Sequence, residues 1–146
     1  FYQCDWCYLK LTYRANQPFL LAIADYDQII RQLEKTLSNR TGPIIFNSGE
    51  MADSLALEHL IGAGQKFIPW FGASDNGYLY MLTKSENVDK ILDLPHNGHT
   101  IVAWSMNNES ISRRFEIGAP PFIGRLNAAQ KVQDAGYPVR IRLDAI

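Results

Sequence analysis

Along most of this chain, short apolar runs alternate with segments whose apolar residues recur at helical spacing, and that alternation restricts the fold more than any other feature. Ile44, Ile45 and Phe46 follow the turn-forming stretch Asn39–Pro43 and read as a buried strand. Tyr78–Leu82 follows Asp75-Asn76-Gly77 and reads as a second. His99–Trp104, with Ile101, Val102 and Ala103, is a third, and Val139–Ile146, where Val139, Ile141 and Leu143 alternate with Arg140 and Arg142, is a fourth. Between and before these runs, Ile29, Ile30, Leu33 and Leu37 mark an amphipathic helix over Tyr26–Leu37. Leu57, Leu60 and Ile61 mark another, with Asp53 or Ser54 able to accept from its free amides. Asn87–Leu94 reads as a short helix ended by Pro95. Leu126, Ala129 and Val132 belong to a last helix stopped at Gly136. Leu9–Leu21 reads as mixed and partly extended.

Helices between successive strands are the connections that parallel strands require, so the expected class is α/β with a parallel sheet, either open or part of a barrel. Polar residues then gather just past the strand ends: Ser48, Gly49 and Glu50 after the first, Lys84 after the second, Ser105 and Asn107 after the third, and Asp144 late in the fourth. In parallel α/β folds that edge is where ligands bind.

With 146 residues, 47% hydrophobic and 20% charged, the composition is that of one ordinary globular domain. The 14 Lys and Arg against 15 Asp and Glu create no global positive field, so any binding to nucleic acid must be local. Arg113, Arg114, Arg125, Arg140 and Arg142 are the basic concentration; they suit phosphate contacts to DNA and surface solubility equally. Two cysteines, three residues apart, staple nothing and fit a reducing compartment, hence the cytoplasm. No apolar run approaches the ~20 residues of a membrane helix. Phe1 opens the sequence without an initiator Met and Ile146 closes it in an apolar run, so residues 1–146 are expected to be a single core domain incomplete at both ends.

Cys4-Asp5-Trp6-Cys7 is the sharpest local signal, and taken alone it is ambiguous between a metal site, an iron–sulfur site and a redox pair. Zinc needs two more ligands. His96 and His99 offer them, but far along the chain in an Asn-Gly turn, unlike the compact spacing of zinc modules. A redox pair would open a helix directly, whereas the Tyr8–Tyr13 stretch favours extended structure.

The run Phe-Tyr-Gln-Cys4-Asp-Trp-Cys7-Tyr-Leu resembles the tail of Cys-x-x-x-Cys-x-aromatic-Cys, the signature of the radical S-adenosylmethionine (SAM) superfamily, with the first Cys one residue before Phe1. Asn47-Ser-Gly-Glu50-Met-Ala-Asp53-Ser-Leu-Ala-Leu-Glu-His-Leu60 resembles the second-strand motif of its spore photoproduct lyase-like branch. Thr100–Asn107 and Ala135–Ile146 are similar to later segments of that branch, so the resemblance spans the chain. It implies a (β/α)6 partial barrel, of which this chain supplies strands two to five. It also implies a [4Fe-4S] cluster held by three thiolates, Cys4 and Cys7 among them, with the fourth iron open to SAM.

The resemblance further implies that SAM is cleaved reductively to a 5′-deoxyadenosyl radical that abstracts hydrogen, with a flavodoxin- or ferredoxin-type protein as electron donor and a DNA photoproduct as substrate. SAM carries an ammonium, a carboxylate and a sulfonium, so its site wants an acid, a base and backbone polar groups. Ser48-Gly49-Glu50 resembles the family's Gly-Gly-Glu element facing the ammonium. Lys84 matches a lysine that meets the carboxylate, and Ser105 and Asn107 match polar residues near the ribose. Tyr8 matches one of two tyrosines that pass a hydrogen atom; Trp6 departs from the other and corresponds to an aromatic that packs near the adenine in other members. Spore photoproduct lyase proper also places a hydrogen-donating Cys about where Glu50 stands. This chain has no third Cys, so the resemblance favours a lyase-like radical enzyme over thymine-dimer repair itself. A different class of function, a zinc- or nucleic-acid-binding module built on Cys4, Cys7 and the arginines, is the alternative.

Overall fold

Strand-forming and helix-forming segments do alternate, and they assemble in parallel. The computed structural model describes residues 2–7, 9, 21–23 and 25–143. Tyr8, residues 10–20 and residues 144–146, on which some expectations fall, lie outside them.

A central sheet of β2 (Ile44–Asn47), β3 (Gly77–Thr83), β4 (Thr100–Met106) and β6 (Val139–Leu143) runs in that spatial order, every neighbouring pair parallel. Helix α1 (Tyr26–Ser38) precedes β2, capped by the Asp25 carboxylate, which accepts from the Gln28 amide at 2.9 Å. Helices α2 (Glu58–Ile61) and α3 (Ala63–Gly72) connect β2 to β3. Between β4 and β6 lie α4 (Glu109–Phe115), β5 (Glu116–Ile117) and α5 (Phe122–Asp134).

Alternation along the strands sorts their residues onto two faces. Leu79 and Met81 of β3 and Val102, Trp104 and Met106 of β4 share one face, where they form a single buried cluster with Leu55, Ile68 and Phe71 and with Ala128, Ala129 and Val132 of α5. Trp104 is fully buried, and its indole N–H donates to the Ser85 carbonyl at 2.9 Å, so the largest core side chain leaves no polar atom unmet.

Three local readings change. Asn87–Leu94 is a chain of turns, not a helix: Ile91 bonds back to Val88 and Leu94 to Ile91, each three residues away. Val88 and Ile91 are both fully buried, so this three-residue spacing plugs the core without a helix. Glu109–Phe115 is helical where no helix was expected, started by the Asn108 side chain, which accepts from the Ile111 amide at 2.9 Å. Ser105 sits inside β4 rather than past it. A short antiparallel ribbon, β1 (Gln3–Cys4) against β5, pairs Gln3 with Ile117 and Cys4 with Glu116. Among the described residues no helix is long and apolar enough to cross a membrane.

Candidate functional site

The C-terminal ends of the parallel strands gather the polar residues, and each is placed by a traceable local cause. The loop after β2 folds over the end of β3. Ser48 N–H donates to the Tyr80 carbonyl at 3.0 Å and Ser54 N–H to the Leu82 carbonyl at 3.1 Å. Gly49 lies so close to Leu82 that a Cβ there would stand 2.4 Å from the Leu82 carbonyl oxygen, so no side chain fits. Its amide donates to the Asn47 side chain at 2.9 Å, and the Asn47 amide group donates to Glu50 at 3.2 Å, which leaves the Glu50 carboxylate at the exposed tip. The Ser48 and Ser54 hydroxyls lie 2.9 Å apart.

Asp53 locks this loop to the next strand. One carboxylate oxygen accepts from the amides of Leu55 and Ala56 and from the Thr83 hydroxyl, at 3.0, 2.8 and 2.6 Å; the other accepts from the Lys84 amide at 2.7 Å. The expected cap is therefore real, but it closes a turn, and helical structure begins only at Glu58.

Lys84 stands at the end of β3 with its ammonium 3.6 Å from one oxygen of Glu116, and only 15% of its side chain is exposed. Glu116 is buried, and so is its principal partner Arg125, whose guanidinium lies 2.5 Å from the other oxygen. Ser112 donates to that oxygen at 2.9 Å, and Asn107 donates to the first at 3.1 Å. Arg125 also donates to the carbonyls of Pro120 at 2.8 Å and Ser105 at 3.1 Å. Burial alone would raise the Glu116 pKa, but the hydrogen bonds from Arg125 and Ser112 and the nearby cations hold it below the usual carboxylate value. Arg125, grouped with the surface arginines in the sequence, is thus an interior residue; Arg113, Arg114, Arg140 and Arg142 are exposed.

The cysteine loop rests on this group. The ribbon pairs Cys4 with Glu116, Asp5 N–H donates to the Phe115 carbonyl at 2.9 Å, and Cys7 N–H closes the loop onto the Cys4 carbonyl at 3.2 Å. Both thiols are free, Cys4 buried and Cys7 half-buried. Burial pushes the Cys4 thiol up; the Lys84 ammonium pulls it down, and the Glu116 carboxylate pushes it up again. Trp6 packs its ring on Phe115 at 5.7 Å between centroids. Tyr2, which no sequence argument singled out, reaches the same strand ends. Burial and the Asp53 carboxylate push its hydroxyl up to about 12, against a hydrogen bond with Ser85.

The structure thus brings Cys4, Lys84, Asn107 and the backbone of Ser105 around Glu116, while Ser48, Gly49 and Glu50 occupy the neighbouring loop over the same end of β3. Two free thiols on one tight loop, with a lysine ammonium beside the buried one, are a donor set suited to a soft iron–sulfur centre. Among the described residues no group of three or more His, Cys, Asp and Glu is placed to hold a metal ion. The zinc alternative would need His96 and His99 beside Cys4. Both precede β4, at the other end of a seven-residue strand, roughly 20 Å away by strand rise. His96 stacks on Tyr137 at 3.8 Å, and the His99 ring bonds the Gly77 carbonyl at 2.8 Å.

Known proteins match this chain over its whole length. The spore photoproduct lyase family profile matches residues 1–146. The spore photoproduct lyase of Geobacillus sp. (strain Y412MC61) is 36% identical over 135 residues, covering 92% of this chain and 39% of that protein. That of Bacillus subtilis (strain 168) is 34% identical over 137 residues, covering 93% and 40%. The chain therefore spans about two fifths of these relatives. Among solved structures, spore photoproduct lyase complexed with dinucleoside spore photoproduct superposes with a TM-score of 0.91 at 35% identity, covering 96% of this chain and 41% of that one. A double mutant of spore photoproduct lyase with bound AdoMet and dinucleoside spore photoproduct also matches with a TM-score of 0.91. The parallel sheet is thus that of a known lineage, and the chain belongs to the spore photoproduct lyase family.

Proposed function

We propose that this chain is the greater part of the core of a radical SAM enzyme acting on a DNA photoproduct. Residues 1–146 would supply strands two to five of a (β/α)6 partial barrel, with Cys4, Cys7 and a third thiolate upstream of Phe1 holding a [4Fe-4S] cluster. The carrying observation is that the cysteine loop is seated on the strand end that presents Lys84. When bound, cluster and SAM supply reductive cleavage to a 5′-deoxyadenosyl radical able to abstract hydrogen from substrate.

The chain's own residues bind and orient. Lys84, anchored through its backbone by Asp53, presents an ammonium to the SAM carboxylate. Glu50, at the tip of a loop that Gly49 presses onto β3, offers an acid to the SAM ammonium. Ser48 and Gly49 would offer backbone to the methionyl group, and Ser105 and Asn107 would be the polar residues on the ribose side. Trp6, whose ring packs on Phe115, would take the place of the aromatic near the adenine. Tyr8 would be the side chain that exchanges a hydrogen atom with the radical formed. A flavodoxin- or ferredoxin-type protein donates the electron, and the reducing cytoplasm suits the free thiols.

The test is anaerobic reconstitution of the full-length protein, followed by reduction with dithionite in the presence of SAM, with and without dinucleoside spore photoproduct. About four irons per chain and 5′-deoxyadenosine are expected, and Cys4→Ala or Cys7→Ala should abolish both. A cluster-loaded, reduced protein that makes no 5′-deoxyadenosine would overturn the proposal.

A further inference from the structure

Glu116 joins two things that the proposed function needs and that no local motif connects. Through its backbone it is the ribbon partner of Cys4. Through its side chain it faces Lys84 at 3.6 Å. Four groups set the carboxylate: Arg125 at 2.5 Å, Ser112 at 2.9 Å, Asn107 at 3.1 Å and Lys84 itself. Arg125 is in turn held by the carbonyls of Pro120 and Ser105. Neither Glu116 nor Arg125 can relax toward solvent.

A buried ion pair is weak grounds for stability, because apolar residues of similar volume often serve as well. What this one provides is a fixed charge beside the cysteine loop. One carboxylate against the guanidinium and the ammonium leaves these three side chains with a single net positive unit, and all three charges are felt at Cys4. Burial makes such charges act strongly on a neighbour.

We propose that Glu116 is a positioning residue that ties the Cys4 loop to Lys84 and, by offsetting one of the two cations beside it, sets the reduction potential of the cluster held there. The inference rests on the iron–sulfur reading of Cys4 and Cys7. Removing the carboxylate would leave two positive units and favour the reduced, more negative cluster; removing the ammonium would leave none and disfavour it.

The experiment is a redox titration of the full-length, reconstituted protein without SAM, followed by electron paramagnetic resonance. Glu116→Gln is expected to shift the midpoint upward, Lys84→Met downward, and the double variant back near the parent value. Opposite shifts that cancel would not arise from a merely structural role. Iron-loaded variants with unchanged midpoints, or both shifting the same way, would overturn the inference while leaving the cluster reading intact. If Glu116→Gln retains no iron, Lys84→Met decides alone, and an unchanged midpoint there overturns it. A parent protein that takes up no iron and sulfide would overturn both readings.

Discussion

Asp53 accepts a hydrogen bond from the backbone amide of Lys84 at 2.7 Å, tying a loop residue after β2 to the end of β3. The same carboxylate holds Leu55, Ala56 and Thr83. Asp53→Ala would free four donors at once. With each charge-assisted bond worth about 1.5–3 kcal/mol and strong non-additivity, a net loss of about 2–4 kcal/mol is expected in chemical denaturation. SAM affinity should fall with it, because Lys84 loses its anchor.

Direct removal of the groups proposed to face SAM separates binding from folding. Lys84→Ala and Glu50→Ala should each weaken SAM binding roughly ten- to hundredfold with the cluster retained. Equilibrium binding to the reconstituted protein measures this. Unchanged affinity in both variants would remove them from the site.

Arg125 tests the interior ion pair. Arg125→Met leaves the Glu116 carboxylate buried without its guanidinium, and a loss of about 3–5 kcal/mol is expected. Restoring balance with Glu116→Gln in the same protein should recover part of it, which a double-mutant cycle would show.

Two buried acids give stability opposite pH slopes. Arg125 and its neighbours depress the Glu116 pKa, so its contribution is complete above the ordinary value of 4.5 and is lost as pH falls through its lower native value. Burial raises the Glu58 pKa, even though the amides of Gly64 and Gln65 donate to it. The native state then holds that proton more tightly than the unfolded chain, so stability falls as pH rises from 4.5 through the raised native value. Denaturation across this range should show the decline above 4.5 disappear in Glu58→Gln.

The Glu50 position bears on the reaction. Without a thiol there, turnover of spore photoproduct should be slow and leak into side products. Glu50→Cys, at an exposed site where substitution costs little stability, should weaken SAM binding as Glu50→Ala does, but at saturating SAM it should raise the fraction of turnover that ends in intact thymine. Clean reversal by the unaltered protein would overturn the view that the missing thiol matters.

The parallel architecture was legible because crossover connections leave a repeating signature, and all four strands lie where their apolar runs stand. Asn87–Leu94 misled because buried residues three apart suit successive turns as well as a helix. Glu109–Phe115 escaped because its seven residues are mostly polar. The Cys4–Glu116 pairing joins residues far apart in sequence, which no motif reports. Arg125 did carry a usable signal. It precedes Ala128, Ala129 and Val132 at helical spacing, which puts it on the buried stripe of α5 and predicts an interior partner.

The stacking of His96 on Tyr137, whose hydroxyl donates to the Ile91 carbonyl, joins the turns that lead into β4 and β6 at the edge away from the cysteine loop. That edge acts as a foundation, and the two ends of the sheet carry different burdens. Substitutions around His96 and Tyr137 should shorten the lifetime of the folded protein while leaving substrate preference alone. A library built to change what the enzyme accepts should therefore spend its diversity at the opposite rim and leave this base untouched.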